Sequence, residues 1–343
     1  MKTAGAHRPI EIVGGGLAGL SLGLALRRAG VPVTLSEAGE YPRHRVCGEF
    51  ITGLKPATIN RLGLGPLLAD ALPHREVAWY IGDAASRVQQ LPSPALGLSR
   101  HLLDARLAAA FVSAGGDLRT RARVTDLAAQ PGRVIATGRR RARSPWLGLK
   151  IHARDLPLAR GLELHLGDNA YVGLARIEDG RVNVCGLFRR RQLCAKGSGL
   201  LLGYLQAAGL GALAARLAAA ALDEEAYCAV AAVAFDHRVP AAGPASIGDA
   251  CAMTPPFTGN GMAMAFQGAE LALDPLLAYA REECTWTESR RRIRLALRRN
   301  FRVRLASAGA MHPFLLRPPR QRWLAALNVA GLLPLRPLYA LLH

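Results

Sequence analysis

Three short stretches of the chain hold residues whose types and spacing could do chemistry. In the first, Ile10-Glu11-Ile12-Val13 runs into Gly14-Gly15-Gly16-Leu17-Ala18-Gly19, and Glu37 lies eighteen residues past Gly19, at the end of Val33-Thr34-Leu35-Ser36-Glu37. A strand, a G-x-G-x-x-G turn, a helix and a second strand ending in an acid suit an ADP moiety. Gly14 permits the tight turn, Gly16 lets backbone N–H groups approach the pyrophosphate, and Gly19 lets the helix pack closely on the strand. The pyrophosphate is expected at the positive end of that helix. Glu37 is placed to accept hydrogen bonds from both ribose hydroxyls. A lone G-x-G-x-x-G is a weak motif, but the strand, helix and acid around this one make it specific.

The second stretch is Gly248-Asp249-Ala250-Cys251-Ala252-Met253-Thr254-Pro255-Pro256-Phe257-Thr258-Gly259-Asn260-Gly261-Met262. An acid at a strand end, then Pro-Pro and a glycine loop into a helix, makes mechanical sense beside a flavin. Asp249 can bond a ribityl hydroxyl. The N–H groups of Thr258 to Met262, at a helix N-terminus, can stabilise negative charge at the N1/C2 end of a reduced isoalloxazine. Gly248, Asp249, Pro256, Gly259, Asn260, Gly261 and Met262 are therefore expected at the cofactor.

The third stretch, Arg43-His44-Arg45-Val46-Cys47-Gly48-Glu49, carries two candidate catalytic residues. Cys47 is either an active-site thiol or a small packing residue, since free cysteine is often a buried hydrophobe. Glu49 orients substrate, shuttles protons, or sits in a salt bridge to Arg43 or Arg45. Arg43 and Arg45 can instead meet cofactor phosphates. No metal site is expected, because none of the nine histidines falls in an H-x-x-x-H or H-E-x-x-H array.

Together the motifs resemble the FAD-dependent oxidoreductases that include para-hydroxybenzoate-hydroxylase-type aromatic monooxygenases and the geranylgeranyl reductases, in the expected order from Ile10 to about Leu273. The resemblance implies that Glu37 binds the adenosine ribose and Asp249 the ribityl chain. It places Arg100, in Leu98-Ser99-Arg100-His101, near the FAD, and makes Ala136-Thr137-Gly138 the turn that returns the chain to the nucleotide. Two departures matter. The aromatic hydroxylases carry an Asp-Gly pair at that turn, linked with NAD(P)H use, and here Thr137 holds the acidic place. NAD(P)H remains the expected electron donor, by a binding mode left open. Cys47-Gly48 is absent from the hydroxylases and is similar to the prenyl reductases and halogenase-like proteins, where the cysteine lies by the flavin ring. Gly197-Ser198-Gly199 lacks the context of a second nucleotide turn, which argues against a separate nicotinamide domain.

These groups must be positioned by a fold, and the patterning gives its class: α/β, a nucleotide-binding domain interrupted by a strand-rich substrate lobe, with a helical C-terminal tail. The resemblance implies that the first is a Rossmann-like FAD-binding domain of glutathione-reductase type. Residues 8–75, 99–145 and 240–285 are assigned to the first, 76–98 and 146–239 to the second, and 286–343 to the tail. Helices are expected at 99–115, 200–226 and 261–279. Strands are expected in 72–91, in 124–137 around Pro131-Gly132, on both sides of Glu178-Asp179-Gly180, and at 230–239.

The chain has 343 residues, half of them hydrophobic, and a net charge of +19 from forty Arg and four Lys against 25 acids. That charge invites nucleic acid, but aromatics are only 6% and no nucleic-acid-binding motif stands out. An anionic membrane, NADPH phosphates or an acidic substrate are the alternatives. Six cysteines with no C-x-x-C pair read as reduced thiols of a cytoplasmic protein. Glu11 inside the first apolar run and the lack of a small-residue cleavage site argue against a secretory signal. Leu200 to Leu222 reads as a buried or amphipathic helix, not a membrane span. From Ser289 onward, arginines alternate with Ile, Leu, Phe and Val as in a basic amphipathic helix, and Trp323 to His343 is apolar around Pro334 and Pro337. This tail either covers the substrate lobe or touches a membrane surface.

An FAD-dependent monooxygenase driven by NAD(P)H and acting on a lipophilic, phenolic or polyketide-like substrate is the leading expectation. A reductase of isoprenoid or other carbon–carbon double bonds is its rival, favoured by Cys47-Gly48-Glu49 and the apolar tail. The third is a non-catalytic, membrane-associated FAD-binding protein.

Overall fold

The computed structural model describes residues 7–85, 88–139, 142–235, 238–332 and 334–343. The chain opens with β1 (Ile10–Val13), α1 (Leu17–Arg28) and β2 (Val33–Ser36), then β3 (Phe50–Ile51), α2 (Pro56–Leu62), β4 (Leu72–Ile81), β5 (Ala84–Ala85) and β6 (Gln89–Gly97). There follow α3 (Arg100–Ser113), β7 (Asp117–Arg119), β8 (Arg133–Ile135), β9 (Trp146–Arg154), β10 (Leu162–Gly167), β11 (Ala170–Arg176) and β12 (Val182–Arg189). The last part comprises α4 (Gly197–Ala207), α5 (Gly211–Ala218), β13 (Ala221–Ala231), β14 (Ala245–Ser246), α6 (Gly261–Ala280), α7 (Trp286–Met311), α8 (Pro318–Val329) and α9 (Leu335–Leu342).

Two sheets organise these elements. The smaller runs β14-β8-β1-β2-β7, with every pairing parallel. Parallel neighbours need crossovers, and α1 supplies the first. Leu20, Leu22, Leu24 and Leu26 of α1 are fully buried in the core that α1 forms with β1, α3 and α6. Each such side chain contributes roughly 1.5–3 kcal/mol of burial. Arg27 and Arg28 close α1 on the favourable side of its dipole.

The larger sheet runs β13-β9-β12-β11-β10-β4-β6-β3, antiparallel except between β10 and β4. One face buries Leu149, Ile151, Val172 and Val184 under α4 and α5. The opposite face follows a single cross-strand row: Lys150 pairs with Cys185, Cys185 with Gly173, Gly173 with Leu164, and Leu164 with Trp79. Because side chains alternate along a strand, this row is shared by one face, ionic at the β9 end and apolar at the β4 end.

Two expectations from sequence are corrected. The helix expected at 200–226 breaks at Gly209, whose φ is +74°, into α4 and α5, and the chain from Ala221 is strand. Pairing with β9 overrides the alanine-rich helix preference there, across a bulge between Asp223 and Cys228. The expected strand at 230–239 therefore ends at Ala231, and its residues 236–237 lie outside the described residues. Of the two strands expected in 124–137, β8 alone forms.

The glycines of the opening turn are constrained unequally. A Cβ at Gly14, where φ is +112°, would lie 2.3 Å from the Ala136 carbonyl oxygen, and one at Gly19 would lie 2.0 Å from the Gly14 carbonyl oxygen. Backbone cannot yield as a flexible side chain can. Gly19→Val is therefore expected to cost ~3 kcal/mol or more of stability, read as a loss of the cooperative thermal transition or a large fall in its midpoint.

Candidate functional site

The first two motifs meet at the carboxyl ends of the parallel strands. Gly248 has φ +58°, and a Cβ there would stand 3.0 Å from Cβ of Ala18 in the first turn of α1. Two sequence stretches more than two hundred residues apart thus form one cradle, in the crevice where open parallel sheets hold ligands.

On the α1 side, Gly16 is the N-cap residue and no side chain caps the helix. A Cβ on Gly16 would find Arg100 Nη2 at 4.0 Å as its nearest neighbour, so space lies open over the helix end. Glu37 is buried at the tip of β2. Its Oε2 accepts from the Gly15 N–H at 2.8 Å, while Oε1 accepts from the Gly39 N–H at 2.9 Å and pairs with Arg43 at 2.6 Å. Burial opposes its charge, but the Gly39 and Gly15 amides and Arg43 hold the carboxyl below its ordinary value. Oε2 retains acceptor capacity for a hydroxyl.

Arg45 and Arg100 share buried Asp104: Arg45 Nε lies 3.1 Å from Oδ2, and Arg100 Nε 2.7 Å from Oδ1. Asp104 was not singled out from sequence, although its i,i+4 spacing from Arg100 is a pairing pattern. Arg45 Nη2 is buried 3.7 Å from Glu37 Oε2 and makes no hydrogen bond, and Arg43 Nε also lacks one. Burial and neighbouring Arg100 lower the Arg45 pKa. Three guanidiniums against the carboxylates of Glu37 and Asp104, beside an uncapped helix N-terminus, leave the cradle with a positive excess. These residues fit a pyrophosphate-bearing dinucleotide.

On the other side, Asp249 lies in a turn at the end of β14 and lines a small cavity with Gly248, Gly261 and Met264. Pro256 opens a short turn closed by Gly259 at φ +67°. Asn260 is fully buried and precedes α6 without a side-chain cap on the helix; its Oδ1 has no partner, and its Nδ2 meets the Leu342 carbonyl oxygen. Met262 is buried, while a Cβ on Gly261 would meet nothing within 4 Å. A free helix N-terminus with open space before it fits the acceptor end of a reduced flavin.

The third stretch lies against this loop: Thr52 Oγ1 donates to the Thr258 carbonyl at 3.3 Å, and Phe50 packs on Gly259. Cys47 is partly buried. Its Sγ lies 3.5 Å from the Glu49 N–H, and its carbonyl accepts from Asn183 Nδ2 at 3.0 Å. Burial raises its pKa, so a neutral thiol stands there.

Glu49 is fully buried, with φ +55°. The salt bridge to Arg43 or Arg45 entertained from sequence does not form. Instead Oε1 lies 3.2 Å from Lys150 Nζ and accepts from the Arg100 N–H at 3.0 Å, while Oε2 lies 2.6 Å from His152 Nε2. Lys150 and His152 are also fully buried, two residues apart on one face of β9. Lys150 Nζ reaches His44 Nδ1 at 3.2 Å, and His44 stacks on His101 with centroids 4.4 Å apart. Burial opposes charge on Glu49, but the His152 hydrogen bond and Lys150 hold its pKa below the ordinary range. Burial and Lys150 pull His44 down to about 4. Sequence reasoning missed Lys150 and His152. The alternation Gly148-Leu149-Lys150-Ile151-His152 was the available pattern, because polar residues inside a buried strand need partners.

Beside this cluster, toward the β4 end of the row, opens an apolar cavity of about 1290 Å³, counting its solvent-open volume. Trp79, Leu164, Phe257, Met311, Leu324 and Leu338 are among its walls. Its few polar groups include Thr52, Gln89, Tyr339 and His343. His343 Nε2 lies 2.7 Å from Thr52 Oγ1. Among the described residues, no group of three or more His, Cys, Asp and Glu could hold a metal ion.

No family model matches the chain. A stretch of 66 residues is 36% identical to menaquinone reductase of Mycobacterium tuberculosis, covering 19% of this chain and 16% of that protein. The chain thus spans about a sixth of the length of the curated relative it matches. Among solved structures, p-nitrophenol 4-monooxygenase PnpA of Pseudomonas putida superposes with a TM-score of 0.76 at 15% identity, over 98% of this chain and 96% of that one. A geranylgeranyl bacteriochlorophyll reductase-like protein of Thermoplasma acidophilum gives a TM-score of 0.73 at 16% identity, over 94% and 91%. At these identities the likeness is one of fold: the chain has the architecture expected from its motifs, with the helical C-terminal region included.

Proposed function

We propose that the chain is an FAD-dependent oxidoreductase that takes electrons from NAD(P)H and hydroxylates a lipophilic, phenolic or polyketide-like substrate. The observation that carries this proposal is the single cradle built from the Gly14–Gly19 turn and the Gly248–Met262 loop, with the Glu49 cluster and an apolar cavity adjoining it. Gly14, Gly16 and Gly19 shape the nucleotide turn, Glu37 takes the ribose, and Arg45 and Arg100 face the phosphates. Gly248, Asp249, Pro256, Gly259, Asn260, Gly261 and Met262 hold the ribityl chain and ring. When bound, FAD supplies the electron transfer and oxygen chemistry, while the protein orients substrate and excludes water. Glu49 and His152 hold a proton between Oε2 and Nε2 inside a site closed to solvent. Cys47 acts as a neutral thiol at that edge.

The domain division follows the same logic: residues 8–75, 99–145 and 240–285 bind FAD, and 76–98 and 146–239 form the substrate lobe. The large sheet also takes in β3 at Phe50–Ile51 and reaches back along β4 to Leu72, so its strands extend into the first assigned segment. The p-nitrophenol and menaquinone named for two similar proteins support an aromatic or lipophilic substrate class. Peripheral membrane contact of a cytoplasmic protein through residues 286–343 completes this picture.

Double-bond reduction is the second reading, favoured by the buried proton-holding pair beside Cys47-Gly48. Incubating the purified protein with NAD(P)H and candidate aromatic or isoprenoid lipids, in air and without oxygen, separates the two. The monooxygenase is expected to consume oxygen and yield a product heavier by one oxygen atom. A product heavier by two hydrogens, formed equally without oxygen, would establish the reductase. NAD(P)H oxidation that no lipid stimulates would count against both.

A further inference from the structure

The α8–α9 segment is apolar on two sides. Its inner side, with Leu324, Ala325, Asn328, Leu338, Tyr339 and Leu342, roofs the cavity. Its outer side leaves Trp323 56% exposed, Val329 71% and Leu332 68%, with Leu341 also exposed. Trp323, Ala326, Val329 and Ala330 follow helical spacing, so the outer apolar residues of α8 form one stripe. Phe314 extends the stripe, 6.3 Å from the Trp323 ring, with Arg320 stacked 5.0 Å above Phe314. Arg317, Arg320, Arg322 and Arg336 are exposed along it. From Ser289 to His343 the sequence carries twelve arginines and no Asp or Glu. Gln321 fixes α8 to the body of the protein by donating to the Gly167 and Leu315 carbonyls, both at 2.8 Å.

We propose that this outer face docks on a bilayer containing anionic phospholipids, placing the roof of the cavity against the acyl layer. Exposed tryptophan and aliphatic side chains enter the headgroup boundary, while the exposed arginines of the segment attract lipid phosphate. No helix among the described residues is long and apolar enough to cross a membrane, so docking is peripheral. The charge complementarity selects this occupant: a second copy of the chain would bring the same arginines against each other. Delivery of a lipophilic substrate through the roof rests on the flavoenzyme reading above, whereas docking itself does not.

Flotation of the full chain with vesicles tests the docking. Truncation is unsuitable, because Ile293, Leu297, Phe301 and Leu305 of α7 belong to the main core. With vesicles of phosphatidylcholine and phosphatidylglycerol in a seven-to-three ratio, the protein is expected to float at least about fivefold more than with phosphatidylcholine alone, and less at high salt. Trp323→Ser with Val329→Ser, and separately Arg320→Glu with Arg322→Glu, are expected to abolish the difference while leaving the circular dichroism melt unchanged. Equal flotation of all variants, or none with either vesicle, overturns the proposal. Concentration-dependent dimerisation abolished by the serine variants, without flotation, overturns it in favour of a second copy. If flavin-free protein floats normally yet takes up no FAD, docking stands and the enzyme assignment falls.

Discussion

Gly16→Val is expected to weaken FAD binding roughly ten- to a hundredfold while leaving the fold within about 0.5 kcal/mol of wild type. This separation follows from the unequal surroundings of the three motif glycines. Gly14 and Gly19 are closed in by backbone, so substitution there attacks the protein itself. Gly16 has φ −87°, which any L-residue adopts, and its Cβ would project into open space above the uncapped end of α1. A valine there takes only the room that a pyrophosphate needs, and forced contacts of that kind cost roughly 1–3 kcal/mol. FAD titration by fluorescence quenching, paired with a thermal melt, checks both halves. Unchanged affinity would show that the cofactor does not lie over Gly16.

Glu49→Gln is expected to destabilise the folded protein by roughly 3–5 kcal/mol, because it leaves Lys150 buried without its counter-charge. Glutamine keeps the size of the side chain and the strained backbone at φ +55° unchanged, so the loss reports the charge. The pH dependence has a definite sign. The Glu49 pKa is lowered by folding, so its contribution is complete above the ordinary glutamate value of about 4.3 and is lost as pH falls through the lower folded value. Wild type should therefore lose stability on acidification more steeply than Glu49→Gln in that window. Combining Glu49→Gln with Lys150→Met should recover much of the loss, since a buried pair removed as a unit costs less than one broken. Denaturant melts from neutral to acidic pH measure all three variants. A Glu49→Gln protein as stable as wild type would place Lys150 in contact with water.

How much of this was legible in sequence depended on distance along the chain. The Gly14–Glu37 unit and the Gly248–Met262 loop are local patterns whose residue spacing reflects turn, strand and helix geometry, and the structure joins them at Ala18 and Gly248. The long basic helix α7 was equally readable from the spacing of its arginines. The partners of Glu49 were not, because Lys150 and His152 lie about a hundred residues away and reach it only through the pairing of β9 in the large sheet. Arg43 and Arg45, close in sequence, were plausible partners, but Glu37 and Asp104 hold them. The β13 strand was missed for a related reason: alanine-rich Ala221–Ala231 has local helix preference, and a neighbouring strand decides its state. The two-sided apolar character of α8 and α9 depends on the cavity beneath them, which distant strands build and no local pattern specifies.

The most direct test of the central assignment is the cofactor itself. Purified protein, denatured and filtered, should release a single FAD per chain, identified by mass and by its absorption spectrum, or the folded flavin-free protein should take one up on titration. A folded chain that releases no flavin and quenches no FAD fluorescence when titrated would contradict the account at its root.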